Sequence, residues 1–302
     1  MDKPVTLKRP MAEANRLTQM LDLVKGQDRF PVDVQELALE YSNQCFASER
    51  IAKIMAMDIP GFEGILKARS DGQWAIGYNS QQSSGRVRFT LAHEFGHYML
   101  HRQLQSAFKC TSEDVYDWES TERRIETDAD LFASYLLMPL NDFRQQVQGH
   151  TGQIDMLRHC ADRYGVSIMA AALKWIEIAP KRAVVVVVRD GFVHWARSNT
   201  AARKSGLVLA AKKNLIEVPD GSLLARSDES ASGLIQMKSA KLWFPKEPQG
   251  MELVEHIYVV ERGWPYTLGL LMLPDAIPLW ERRDDDDEDD GLVPLSRPTR
   301  WR

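Results

Sequence analysis

Residues 93 to 97 read His-Glu-Phe-Gly-His, an H-E-x-x-H. On a helix, positions four apart share one face, so His93 and His97 can both reach a single metal ion. Glu94 lies beside them, where it can take a proton from a water at that ion, and the pattern is that of a zinc hydrolase. Leu91, Phe95, Tyr98 and Met99 supply apolar flanks. Gly96, a poor helix former, stands where a side chain would obstruct close packing or a ligand. Two histidines on an ordinary amphipathic helix would give the same letters, so the meaning depends on a third ligand. Structural zinc sites are closed by four protein ligands, whereas catalytic ones use three and keep one position open.

His101 continues the spacing of four, but at 1.5 Å rise per residue it lies about 12 Å along the axis from position 93. That is too far to share an ion with His97 between them. A role supporting a ligand, facing substrate or simply on the helix surface is left for it. The next candidates lie in IETDADLFASYLLMP, residues 125–139. Leu131, Phe132, Tyr135 and Leu136 describe a helical face, and Glu126 and Asp130 fall one turn apart near its start. The pair can divide the work, with Glu126 as a metal ligand and Asp130 accepting the free N–H of a ligating histidine to fix its tautomer. Asp128 points elsewhere on the helix. Acidic residues are also favoured at helix N-termini by the dipole, which accounts for all three without a metal.

LAHEFGHYMLH at 91–101 followed by ETDADLFASYLLMP at 126–139 resembles the ImmA/IrrE family of zinc metallopeptidases. The second helix of that family reads glutamate, a variable residue, an acidic residue, alanine, asparagine or aspartate, then F-A and L-L-M-P. The resemblance covers roughly residues 10–180. It implies a gluzincin-like site, with His93, His97 and Glu126 as Zn(2+) ligands and Glu94 as general base. It also implies an intracellular bacterial or phage-related protein that cleaves, or helps to inactivate, a transcriptional repressor during stress or mobile-element induction. Asp128 and Asp130 stand where glutamate and asparagine are frequent in the family, and neither change removes a metal ligand.

These side chains need elements to position them. Residues 11–24 carry apolar positions mostly three or four apart and predict a first helix; a second follows with Val34, Leu37, Ala38 and Tyr41, and Pro31 in its opening turn. Residues 64–69 and 73–79 flank Ser70, Asp71 and Gly72, a hairpin signal that puts a small sheet just before the H-E-x-x-H. By likeness to zinc peptidases, residues 74–79 are the expected edge strand that holds a substrate backbone, with a plain structural hairpin as the equal alternative. The polar connection between His101 and Thr121 is expected to form a rim or lid, and Tyr116 within it is a candidate donor to the oxyanion of an attacked carbonyl. Pro139 should end the second ligand helix near Met138.

Residues 154–164, a turn at Gly165 and Val166, and residues 167–178 have the shape of a helix-turn-helix. The second helix offers one basic residue, Lys174, and little that could read base edges, so packing against the catalytic core is expected and direct nucleic-acid binding is disfavoured. The A-x-x-Y-G-V-S stretch at 161–167 is familiar in the same peptidase family. His159 is a candidate cleft residue, with a helix-surface histidine as its ordinary reading. Beyond Pro180, residues 183–189 and 192–197 joined by Asp190 and Gly191 predict another hairpin, and 234–244, 253–262 and 266–273 predict further strands.

Composition fits this picture. The 302 residues are 44% hydrophobic and 26% charged, ordinary for a folded protein. The net charge is −4, but residues 284–290 are all acidic, leaving about +3 elsewhere, so nothing demands a polyanionic partner. Cys45, Cys110 and Cys160 form no C-x-x-C pair, which fits a reduced cytoplasm. No signal segment or membrane-length apolar run is apparent, and no membrane role is expected. The expected chain is therefore α+β. Residues 1–180 form a mainly helical zincin-like metallopeptidase core with a small sheet. Residues 181–281 form a smaller antiparallel α+β domain, and 282–302 an acidic flexible tail. A sensory or regulatory role for the second domain is a reading from neighbourhood, because sensor domains of PAS or GAF type accompany some peptidases of the family and no motif here matches either. The expected activity is a zinc metalloendopeptidase acting on a repressor or other transcription regulator. The rivals are a non-catalytic zinc-containing interaction regulator and, less favoured, a DNA-binding regulator using residues 154–178.

Overall fold

The computed structural model describes residues 9–58, 61–111, 121–149, 154–226, 228–260 and 265–277. Its N-terminal part begins with α1 (Pro10–Lys25) and α2 (Val34–Cys45), each burying one apolar stripe: Ala14, Leu17 and Leu21 on the first, Leu37, Ala38 and Tyr41 on the second. Asp33 caps α2 by accepting a 3.0 Å hydrogen bond from the Glu36 amide, a contact worth about 1 kcal/mol. Pro31 lies before this helix, after a cis bond to Phe30, and not in its opening turn.

Four strands follow, β1 (Ile51–Met57), β2 (Phe62–Ala68), β3 (Trp74–Asn79) and β4 (Ala107–Thr111), in the order β1-β3-β2-β4. β2 and β3 form the expected antiparallel hairpin, with Gly72 in its turn at φ 79°. β1 runs parallel to β3 on its other side. The strand expected to lie at the edge is thus paired on both sides and has no backbone edge to offer a substrate. β4 comes from the connection expected to be a rim; it pairs with β2 and forms a sheet edge among the described residues.

The sheet supports α3 (Ser84–His101), capped by the Ser83 hydroxyl, and α4 (Thr121–Leu137), which ends just before Met138 as Pro139 requires. Every residue of α3 from Thr90 to His101 is buried. Such a helix must be enclosed by packing on all sides. α4 lies close against it at Gly96, where a Cβ would come within 3.0 Å of the Phe132 ring and 3.2 Å of the Ala129 carbonyl oxygen. Gly96 therefore has the close-packing role its position suggested.

The C-terminal part contains α5 (Leu140–Val147), α6 (Ile154–Tyr164), α7 (Ile168–Ile176), the short α8 (Thr200–Lys204) and an antiparallel sheet. The strands are β5 (Arg182–Arg189), β6 (Phe192–Ser198), β7 (Ile235–Ser239), β8 (Glu252–Val260) and β9 (Tyr266–Leu273), in the order β6-β5-β9-β8-β7. Asp190 and Gly191 both take positive φ, as a tight hairpin turn demands. β7 stops at Ser239 where residues 240–242 turn, sending Trp243 and Phe244 into the core.

Helices α5–α7 place Phe143, Leu157 and Trp175 in one cluster with Val185, Val187, Leu268 and Leu270 of this sheet. The principal apolar partner of α6 and α7 is therefore the second sheet, where packing on the catalytic core was expected. Contacts to the N-terminal part remain: Phe30 meets Tyr164 edge-on at 5.1 Å, and Asp142 binds Arg163 at 2.8 and 2.9 Å, with Arg29 at 3.8 Å. Among the described residues no helix is long and apolar enough to cross a membrane. The segment 282–302 lies outside the described residues.

Candidate metal centre

The close crossing of α3 and α4 brings three donors together. His93 Nε2 lies 2.9 Å from His97 Nε2 and 3.1 Å from a Glu126 carboxylate oxygen, and His97 Nε2 lies 3.4 Å from the other. Ligands at 2.0–2.1 Å in a tetrahedral zinc shell stand about 3.3 Å from one another. Two imidazole nitrogens and a carboxylate oxygen at these separations thus fit a zinc-sized ion, in donor chemistry as well as in spacing. Among the described residues, His93, His97 and Glu126 are a group able to hold a metal.

The far side of each imidazole is also held. His93 Nδ1 is 2.9 Å from an Asp130 carboxylate oxygen. Because the carboxylate only accepts, Nδ1 carries the proton and Nε2 presents its lone pair inward. His97 Nδ1 is 3.2 Å from His101 Nδ1. The ring of His101 reaches back one turn, so the residue too distant to join His93 at one ion supports His97 instead. With His97 Nδ1–H donating, His97 Nε2 also faces the centre. Burial draws the His97 imidazole below its usual range, and burial, with neighbouring imidazoles that disfavour a further proton, pulls His101 down to about 4. Both are then neutral at pH 7, as ligation and acceptance require. Burial pushes Glu126 up, but its close contacts with the His93 and His97 imidazoles outweigh it and hold the carboxyl well below the ordinary range. Glu126 is therefore ionised, the form in which it can bind a metal.

Glu94 is fully buried and packs against β2 at Gly64. A Cβ built on Gly64 would come within 2.5 Å of Glu94 Oε1 and 2.6 Å of Thr90 Cγ2. A residue inside a strand thus leaves space for the carboxylate. Phe108 of β4 stacks on His97 with ring centroids 4.6 Å apart and interplanar angle 14°. Gly64 and Phe108 were not singled out in the sequence, where a strand glycine marks close approach only in general terms. His159 is exposed on α6 and bonds Gln146 of α5 at 2.9 Å; its contact is not with the centre. Tyr116 lies outside the described residues.

A peptidase-family model described as the IrrE N-terminal-like domain matches residues 47–175. Those residues are an IrrE/ImmA-like domain. The match begins at the first sheet, later than the sequence resemblance suggested, and takes in both metal-centre helices and nearly all of α7. No curated protein matches the chain. Among solved structures, it is similar to a Mycobacterium tuberculosis transcriptional regulator, with 13% identity and a TM-score of 0.53 over 87% of this chain and 76% of that one. At that identity the likeness is one of fold, and it extends well beyond the IrrE/ImmA-like domain.

Proposed function

We propose that the chain is a zinc-dependent endopeptidase that hydrolyses a peptide bond in an intracellular protein, a transcriptional repressor or regulator being the substrate class the family resemblance suggests. The convergence of His93, His97 and Glu126 beside the buried Glu94 carries this reading. When bound, zinc supplies Lewis-acid polarisation of the carbonyl and lowers the pKa of water. Asp130 and His101 hold the two imidazoles with their lone pairs inward. Glu94 takes a proton from the attacking water as its oxygen bonds the carbonyl carbon. The same carboxylate returns that proton to the amine nitrogen as the C–N bond breaks, so one residue serves both transfers. β4 replaces β3 as the strand on which an extended peptide would add. A peptide paired there would run beside His97, whose ring stacks on Phe108 of that strand.

The deciding experiment captures proteins on Glu94→Gln and offers them to the parent enzyme. The variant should keep its zinc and lose turnover by on the order of 10²–10⁴-fold. Parent-like turnover would remove Glu94 from the chemistry. For Glu126→Ala, weaker zinc retention is expected, and unchanged stoichiometry after dialysis would exclude it from the ligand set. Partner binding that needs zinc but never leads to Glu94-dependent cleavage would make the chain an interaction regulator instead.

A further inference from the structure

The cover that α5–α7 give the second sheet stops short of its β7 edge. Antiparallel register sets Ile235, His256 and Leu270 opposite one another in one row, and Met237, Val254 and Met272 in the next. Directly opposed residues project from the same face. All of these but Leu270 line a cavity of about 430 Å³, with Trp175 of α7 and residues 179–182 forming its wall. The volume falls in the usual range of small-molecule sites, ~300–1,000 Å³. Ile235 and Met237 stand 54% and 61% exposed at its β7 side, although both are apolar.

Lys181, Arg182 and Glu252 also line the cavity, but within the two rows of its floor only His256 is polar. His256 is only 3% exposed, and its Nδ1, without a hydrogen-bond partner among the described residues, is closed off from solvent, which leaves Nε2 as the ring nitrogen a molecule in the cavity could meet. Burial also holds the imidazole below its ordinary pKa, so the ring is neutral. A buried polar atom left without a partner costs about 1–3 kcal/mol, which makes this ring an expensive choice for simple packing. A strand adding to the open edge of β7 would cover Ile235 and Met237 through its own side chains, yet its backbone bonds would lie at β7 and not at the ring on β8 behind it.

We propose that this cavity is a binding site for a small, uncharged, largely apolar molecule carrying one hydrogen-bonding group, which His256 recognises. The site is separate from the metal centre and requires neither zinc nor proteolysis. It lies one helix from the metal centre: Lys174, the neighbour of Trp175, rests 3.3 Å above the ring of Tyr135 on α4.

A matched pair of probes, 2-naphthol and 2-methylnaphthalene, tests the proposal on the full chain by equilibrium dialysis. The parent should bind both and prefer the hydroxyl compound by about tenfold. His256→Phe should abolish that preference while still binding both, and His256→Gln should restore part of it. Val254→Trp, which fills the floor, and Met237→Trp, which fills from an exposed position, should each weaken both probes at least about tenfold. Circular-dichroism melts check that each variant folds, and Met237→Trp keeps the test decisive should Val254→Trp not fold. The proposal fails if the parent binds neither probe, as when another part of the chain already fills the cavity. It also fails if the preference survives His256→Phe, or if folded filling variants bind as the parent does.

Discussion

A methyl group added at position 64 is the smallest change that reaches Glu94 without altering any ionisable residue. Gly64→Ala would press on Glu94 Oε1 and Thr90 Cγ2 at once, and Thr90 sits on a helix enclosed by packing. We predict a stability loss of ~1–3 kcal/mol from overpacking, zinc binding close to the parent's, and turnover lowered by about 10²-fold through misplacement of the proposed base. Metal stoichiometry measured beside kcat separates this from a ligand defect, and parent-like kcat would show that Glu94 does not depend on the space at Gly64. Sequence spacing reveals the H-E-x-x-H and the Glu126/Asp130 pair because both lie within single helical turns. Gly64 meets Glu94 only through tertiary contact, so no local pattern marks it. His101 is intermediate: helical rise excludes it as a ligand, but only its rotamer reveals that it supports His97.

At the scale of elements, α7 carries a buried cation whose cost can be measured. Lys174 is 1% exposed, with Nζ 3.3 Å from a Glu177 oxygen and over the Tyr135 ring, and burial nevertheless pulls its ammonium down to about 8. In the unfolded chain the amine titrates at its ordinary 10.5. Below about pH 8 both states are protonated and the full burial cost is present. As pH rises from there toward 10.5 the folded chain holds fewer protons than the unfolded one, so stability rises. Lys174→Met should therefore stabilise the protein by ~1–3 kcal/mol at pH 7, with the gain fading by pH 10.5. Urea unfolding at both pH values checks this, and a less stable variant at pH 7 would mean that Glu177 and Tyr135 outweigh desolvation. Hydrophobic period was enough to foresee α6, α7 and the two Asp-Gly hairpins. It could not say which surface would cover the apolar face of α7, since a period defines a stripe and not its partner. The β3 assignment failed for a related reason. Its edge or interior position depends on β1, a parallel neighbour joined through another strand, which leaves no turn signal between them.

At the scale of the whole molecule, the described residues form one apolar cluster built on α1–α4 with the first sheet, and others built on the two faces of the second sheet. His93, His97 and Glu126, the group able to hold a metal among the described residues, lie on α3 and α4, so an ion bound there would tie together two helices of the first cluster and touch nothing in the second sheet. Ligand binding to the folded state stabilises it by mass action, about 4 kcal/mol at a thousand times Kd, but that gain protects an amide only if opening it breaks the site. Zinc added to chelator-treated protein should therefore slow amide exchange in α3, α4 and β4 by up to about 10³-fold. The centres of β5, β8 and β9 should keep their rates, because they can open while the metal centre stays closed. Hydrogen exchange read by mass spectrometry on peptides from both sheets makes the comparison directly. An equal slowing across both would show that the chain opens as a single cooperative unit, with contacts such as Asp142 to Arg29 and Phe30 to Tyr164 transmitting metal stabilisation from one cluster to the other.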